Sequence, residues 1–283
     1  MHDPTSPSLI SDPDHPLIQR FRSLQTAGGR AASGCYIIEG IRHVFRATQA
    51  QFPIEQLLVA PKALKNPAGQ KLARRLRQAG TPSATVAPEF YRRLSLAADP
   101  QGIAAILRQA WTPLTAVRPG EDDGWLAVEG VESPGNLGTM IRTSEAAGAA
   151  GLILIGRTAD PHDPTAVRAT MGSLFSQKLV RTTAHEFAAW SERRGLMLVG
   201  TSPRAAHDYR AVRYEKPLVL LVGSEKRGLS DELSRACSTL VRIPIRRHGV
   251  DSLNVAVAAG ILLYATLDQR SSLRSAEDEN AYS

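Results

Sequence analysis

Three short segments in the C-terminal half of this 283-residue chain concentrate side chains that could do chemistry. The first runs from Val128 through Glu129, Gly130, Val131, Glu132, Ser133, Pro134 and Gly135 to Asn136, and on to Arg142. An apolar stretch enters a Pro-Gly turn, Asn136 stands where it can cap the next helix, and free amides at such an N-terminus can receive an anion or a polar ligand. The plainer reading is a turn and a cap. With Leu137, Met140, Ile141 and Ser144 on a buried stripe, a step of about 100° per residue turns Arg142 away from that stripe. There it either meets solvent or faces a phosphate.

The second segment, Leu218 to Ser230, is an apolar strand ending at Gly223, followed by Ser224, Glu225, Lys226, Arg227 and Gly228. It sets a carboxylate at the carboxyl end of a strand, where open α/β sheets place their ligands. Glu225 could equally be an exposed loop acid paired with Lys226 or Arg227. The Lys-Ser/Thr ending of a phosphate loop is absent, and no Gly-x-Gly-x-x-Gly follows the first strand. The third segment, Val241 to Ala258, carries a strand to Ile243 and Pro244, then a basic loop, and then Ser252, Leu253 and Asn254 ahead of a helix. Ser252 could be no more than an N-cap. His248, Asp251 and Ser252 invite a hydrolase reading, but crowding on one loop does not supply nucleophile-base geometry, and no Gly-x-Ser-x-Gly elbow is present.

The elements that must position these groups read as α/β. In the first part, 35–38, 54–60 and 102–108 read as strands, and 41–50 and 69–79 as helices. Residues 111–124, with Pro113, Pro119, Gly120, Gly124 and the acids Glu121 to Asp123, read as a linker. Beyond it, 125–129, 151–155, 195–201, 217–223 and 239–244 are short apolar runs without polar alternation, the pattern of buried parallel strands between helices. Val255, Ala258, Ala259, Leu262, Leu263 and Thr266 then share one face of a final helix over 252–267. The resulting division is a flexible tail at 1–14, a small domain at 15–110, the linker at 111–124, a second domain at 125–270 and a tail at 271–283.

Composition narrows the function. The charge balance of 34 Lys+Arg against 27 Asp+Glu is uneven: residues 1–119 hold 15 and 7, residues 120–283 hold 19 and 20. A basic first half suits a polyanionic partner, because neutralised phosphates release counterions; since 28 of the 34 cations are Arg, codon bias is the competing account. A hydrophobic fraction of 43% supports real cores and excludes disordered and fibrous classes. The most apolar late run, 255–265, falls short of the roughly 20 residues of a membrane span. The N-terminus does not read as a secretory signal. Cys35 and Cys237 have no partners at metal or disulfide spacing. A cytoplasmic protein is expected.

Taken together, the three segments resemble the SpoU, or TrmH-like, branch of the SPOUT RNA methyltransferases. The first family motif matches Glu132 to Arg142 with Asn136, the second matches Val222 to Gly228, and the third matches Ile243-Pro244 with Ser252-Leu253-Asn254-Val255. The order and spacing of three motifs over about 130 residues make the match specific. Ser224, Ile245 and Ala256 depart from the family's frequent Asn, Met and Ser. Around Tyr36 to Arg42 the first domain is similar to the family's L30e-like substrate-binding unit.

The resemblance implies a small L30e-like α/β N-terminal domain followed by a SPOUT α/β domain with a C-terminal trefoil knot. It implies S-adenosyl-L-methionine as cofactor, held by Gly223, Ile243 and Leu253, and no metal. The implied reaction is methyl transfer to a ribose 2′-hydroxyl, in structured ribosomal RNA before transfer RNA; an inactive RNA-binding protein of the same fold is the remaining alternative. Arg142 is the implied catalytic centre, with Asn136, Glu225, Ser252 and Asn254 orienting it and the ribose. A guanidinium keeps its proton at neutral pH, so Arg142 is read as a phosphate and alkoxide stabiliser rather than a base. Arg42, Arg46, Arg74, Arg75, Arg77, Arg92 and Arg93 are the candidates for RNA capture. The family also implies a homodimer formed through the C-terminal domain, and no membrane partner.

Overall fold

The computed structural model describes residues 9–120, 124–215, 217–246 and 252–281, with side chains described up to residue 269. Glu121 to Asp123 of the expected linker, together with His248 and Asp251, lie outside the described residues.

The chain forms two units: residues 1–110 with 160–176, and residues 111–159 with 177–283. The first opens with β1 (Leu9–Ile10), α1 (Pro16–Leu24) and α2 (Ala27–Ser33), followed by β2 (Cys35–Glu39), α3 (Ile41–Gln49) and β3 (Ile54–Val59). It continues through α4 (Pro67–Gln78), β4 (Ser83–Val86), α5 (Pro88–Leu94) and β5 (Ile103–Arg108). The sheet order is β1-β4-β3-β5-β2, with β5 antiparallel to both of its neighbours. Leu9 and Ile10 do not trail as part of a tail. They pair with β4, and Ile10 is buried with Ile18, Phe21 and Leu24 from α1, because two adjacent apolar residues gain more on a sheet edge than in water. α1 and α4 begin at prolines, whose fixed φ suits the first helical turn, and Asn66 caps α4 through Ala68 and Gly69.

The second unit begins with β6 (Gly124–Glu129), α6 (Pro134–Ala146) and β7 (Ala149–Ile155); the next helix, α7 (Pro164–Thr170), packs with the first unit. The chain returns in β8 (Lys178–Thr182), α8 (Ala184–Arg193), β9 (Met197–Thr201) and β10 (His207–Asp208). It closes with β11 (Leu218–Val222), α9 (Asp231–Ala236), β12 (Thr239–Arg242) and α10 (Val255–Ala281). All seven strands are parallel, in the order β10-β12-β9-β11-β6-β7-β8. The expected continuous apolar runs form its centre: Leu126 to Val128, Leu152 to Ile155 and Leu218 to Val222 are buried. β8 was not legible as a strand because Lys178 and Arg181 interrupt its short apolar centre, which suits an edge. α10 continues to Ala281 through most of the stretch expected to be a tail, where Leu273, Arg274, Ala276, Glu277 and Glu279 are good helix formers.

Candidate active site

The carboxyl ends of β9, β11 and β12 open on one cavity of about 770 Å³. Its wall includes Thr201 at the end of β9 and Ser202 after it, Gly223 to Leu229 after β11, Ile243 after β12, and Ser252, Leu253 and Val255 at the start of α10. Parallel strands leave their ligand crevice at this edge because the crossovers on either side diverge there.

The floor is a tight hairpin. Ser224 N donates to Gly228 O at 3.1 Å and Gly228 N donates back to Ser224 O at 2.9 Å, with Gly228 at φ +68°. A Cβ on Gly223 would overlap the backbone of Gly228 and Leu229, so only glycine permits this turn at the strand end. The far side of the turn is anchored where Ser230 N donates to Glu129 Oε2 at 2.7 Å, while the Ser230 hydroxyl caps α9 by accepting from Leu233 N.

Two helix caps differ from the sequence expectation, and the difference frees the side chains that matter. Ser133, not Asn136, is the N-cap of α6: its hydroxyl accepts from Asn136 N at 3.3 Å. Asn136 lies inside the first turn, with its side chain directed elsewhere. Likewise Asn254, not Ser252, caps α10, its Oδ1 accepting from Ala256 N at 2.9 Å and from Val257 N. Ser252 is exposed on the cavity wall.

The released amides form a relay between the three segments. Asn254 Nδ2 donates to Asn136 Oδ1 at 3.0 Å, and Asn136 Nδ2 donates to Glu225 Oε1 at 2.8 Å. Glu225 therefore does not pair with its chain neighbours; Lys226 reaches Glu132 Oε2 at 3.1 Å instead. Of the eight expected catalytic and cofactor positions, Gly223, Glu225, Ile243, Ser252 and Leu253 line the cavity, and Asn136 and Asn254 connect to it through Glu225. Arg142 does not join them. It is exposed on α6, off the buried stripe of Leu137, Gly138, Met140, Ile141 and Ser144.

Sequence reasoning missed Thr201, Ser202 and Arg204 on the wall. Their signal was available, since they follow an apolar strand at its carboxyl end. A second cavity of about 710 Å³ lies on the other side of the hairpin, bounded by Glu129, Glu132, Arg157 and Thr158.

In the first unit, Arg42, Arg74, Arg75, Arg92 and Arg93 are exposed, and Arg92 pairs with Glu89 at 2.8 Å. Arg46 and Arg77 are half-buried: Arg46 donates to Ser176 Oγ at 3.3 Å, and Arg77 donates to Thr85 Oγ1 at 3.1 Å with burial lowering its pKa. Glu39 accepts from Ser95 Oγ and from Tyr91 Oη, yet burial still raises its pKa. Gly40, at φ +94°, is the N-cap that precedes α3. Arg30, wholly missed, is 1% exposed and donates to Asp160 at 2.7 Å and Asp163 at 3.0 Å. No local pattern announces partners 130 residues away.

Residues 125–264 match the SpoU rRNA methylase family, and residues 15–105 match the MRM3-like substrate binding domain. The chain is 32% identical over 268 residues to a 23S rRNA (uridine(2479)-2′-O)-methyltransferase of Streptomyces viridochromogenes, covering 91% of this chain and 92% of the relative. It is 27% identical over 247 residues to the 23S rRNA (guanosine(2553)-2′-O)-methyltransferase of Bacillus subtilis, covering 87% and 94%. Among solved structures, the AdoMet-bound rRNA methyltransferase from Sinorhizobium meliloti superposes with a TM-score of 0.84 at 33% identity, over 92% of this chain and 97% of that one.

Proposed function

The chain belongs to the SpoU rRNA methylase family, and on that premise we propose that it methylates a ribose 2′-hydroxyl of ribosomal RNA with S-adenosyl-L-methionine. The observation that carries this reading is the Asn254-Asn136-Glu225 relay at the cavity lined by Gly223, Ile243 and Leu253. The cavity fits a nucleoside cofactor: strand-end backbone supplies hydrogen-bonding edges, Leu229, Ile243, Leu253 and Val255 supply apolar cover, and Ser202, Ser224 and Ser252 supply hydroxyls.

When bound, S-adenosylmethionine supplies an electrophilic methyl group. The protein must hold the ribose in line with it and ease the loss of the 2′-proton, so positioning carries much of the rate. Asn136, fixed from both sides, aligns Glu225 toward the ribose, and Ser252 and Asn254 orient the sugar from the start of α10. Arg142 binds the adjoining phosphate and stabilises the developing negative charge on the 2′-oxygen.

Arg142 lies outside its own chain's cavity, on a helix that packs against α10. α10 exposes Val257 and Tyr264, seven residues apart on one face. A homodimer formed through this face is the arrangement that would bring Arg142 of one copy to the cavity of the other. The segment after β12 is read as passing through a trefoil knot, a reading supported by β12 lying beyond β9 and β11 from β6. Exposed Arg42, Arg74, Arg75, Arg92 and Arg93 serve RNA capture in the first unit, with Arg46 and Arg77 in support. A ribosomal RNA substrate would be met in the cytoplasm; among the described residues no helix is long and apolar enough to cross a membrane.

The test is incorporation of label from S-adenosyl-[methyl-³H]methionine into 23S rRNA taken from cells lacking the gene. Label recovered in an alkali-resistant dinucleotide is expected; label only in alkali-labile mononucleotides, or none, rejects the reading.

A further inference from the structure

Ribosomal RNA offers unpaired bases as well as phosphates, and an arginine surface alone recognises only the phosphates. In the first unit, Phe45 on α3 is 52% exposed, a large aromatic side chain left in water on a helix whose opposite face buries His43, Val44 and Ala47. Arg42 and Gln49 lie three and four residues from it and share its face. A single exposed apolar residue needs no explanation, but Phe45 is not alone. Arg46, next to it, folds over Gly172, where an added Cβ would come within 2.8 Å of Arg46 Cγ. Beside Gly172, Met171 is 39% exposed and holds a left-handed backbone at φ +53°. Glycine or asparagine is usual at such a helix end, and other residues adopt this conformation at a cost that the surrounding structure must offset. The 170–172 turn is held in place from beneath: Thr170 Oγ1 donates to Val167 O, and His43 Nε2 lies 3.1 Å from that same carbonyl.

Phe45 is thus exposed with Arg42 on its own helix face, while on the adjoining face Arg46 covers Gly172, whose chain neighbour Met171 is the second exposed apolar side chain. An exposed aromatic ring with a cation on the same helix face is complementary to a base that carries its own phosphate, and an apolar protein partner would have to desolvate that cation. We infer that Phe45 is a stacking platform for an unpaired base of the substrate RNA, with Arg42 holding the phosphate beside it. The inference rests on the ribosomal RNA reading above and adds a subsite to it.

The experiment compares the full-length protein with Phe45→Ala, Phe45→Leu, Phe45→Trp and Arg42→Ala. The probes are an unmodified 23S rRNA transcript and a blunt RNA duplex with no unpaired base, each titrated at several salt concentrations. Phe45→Ala and Phe45→Leu should weaken transcript binding by roughly 5- to 150-fold, by the same factor at each salt concentration, and leave duplex binding unchanged. Phe45→Trp should bind at least as well as the wild type, with its indole fluorescence quenched by the transcript. Arg42→Ala should instead lower the salt slope. If Phe45→Ala does not fold, Phe45→Leu, which keeps most of the apolar volume, decides. Transcript affinity within twofold of wild type for both variants overturns the platform, as does a changed oligomeric state of the Phe45 variants, which would make this surface a protein contact. A wild-type protein that neither binds nor methylates the transcript overturns the ribosomal RNA reading itself, a result distinct from a wild type that does both while the Phe45 variants match it.

Discussion

The Asn136 side chain donates to Glu225 Oε1 at 2.8 Å across 89 residues of chain, while accepting from Asn254 at 3.0 Å. One amide therefore fixes the relative positions of the first turn of α6, the hairpin after β11 and the cap of α10. Replacing it with a carboxylate, Asn136→Asp, removes the donor to Glu225 and sets two negative charges face to face. Turnover is expected to fall about 100-fold, the cost of a small misplacement at a reacting centre, with S-adenosylmethionine affinity changed little. Single-turnover methylation and calorimetry separate the two; near-normal turnover removes Asn136 from the site.

Gly223→Ala puts a methyl group into the backbone of Gly228 and Leu229. The hairpin must move, and with it the cavity floor. At a cofactor concentration of 100 times Kd the wild type gains about 2.7 kcal/mol of stability. The variant is expected to show no thermal shift with cofactor. A retained shift would mean that the hairpin does not form the cofactor site.

Arg142→Ala separates the reaction from cofactor binding. Because Arg142 is exposed and off the cavity wall, calorimetric affinity for S-adenosylmethionine should match the wild type. Methyl transfer should drop by about 10²- to 10³-fold, the usual effect of removing a group that stabilises developing negative charge. A variant that turns over normally sinks the assignment.

Arg30→Met tests the buried clasp within the first unit. Removing the guanidinium leaves Asp160 and Asp163 without it, and breaking a buried ion pair this way costs about 3–5 kcal/mol. Burial alone would raise the Asp160 pKa, but hydrogen bonds from His162 and Arg30 outweigh it and hold the carboxyl well below the usual range. A depressed carboxylate contributes stability above its unfolded pKa of about 3.9, and that stability is lost as pH falls toward the folded value. Urea midpoints should therefore show a full gap between wild type and variant at pH 7 and a narrower one at pH 3. An equal gap at both would mean that the carboxylate charge contributes nothing.

Local and periodic features were legible in the order of the residues alone. The apolar runs that became β6, β7, β9, β11 and β12 were legible because a strand buried on both faces has no polar alternation. Gly223 and Glu225 were legible because ligands collect at the carboxyl ends of such strands, whereas Ile243 and Leu253 were singled out by the resemblance of the third segment to the family motif. The side of α6 that carries Arg142 followed from helical geometry alone. The tertiary structure decided which polar atoms meet. Asn136 and Ser252 both looked like caps from their positions, yet Ser133 and Asn254 take those roles, because a cap is chosen by where the first turn closes, and that depends on the packing of α6 against α10. The Arg30 clasp and the meeting of Arg46 with Gly172 were equally out of reach. Each joins residues more than a hundred positions apart, and sequence periodicity reports only the neighbours that one helix or one strand brings together.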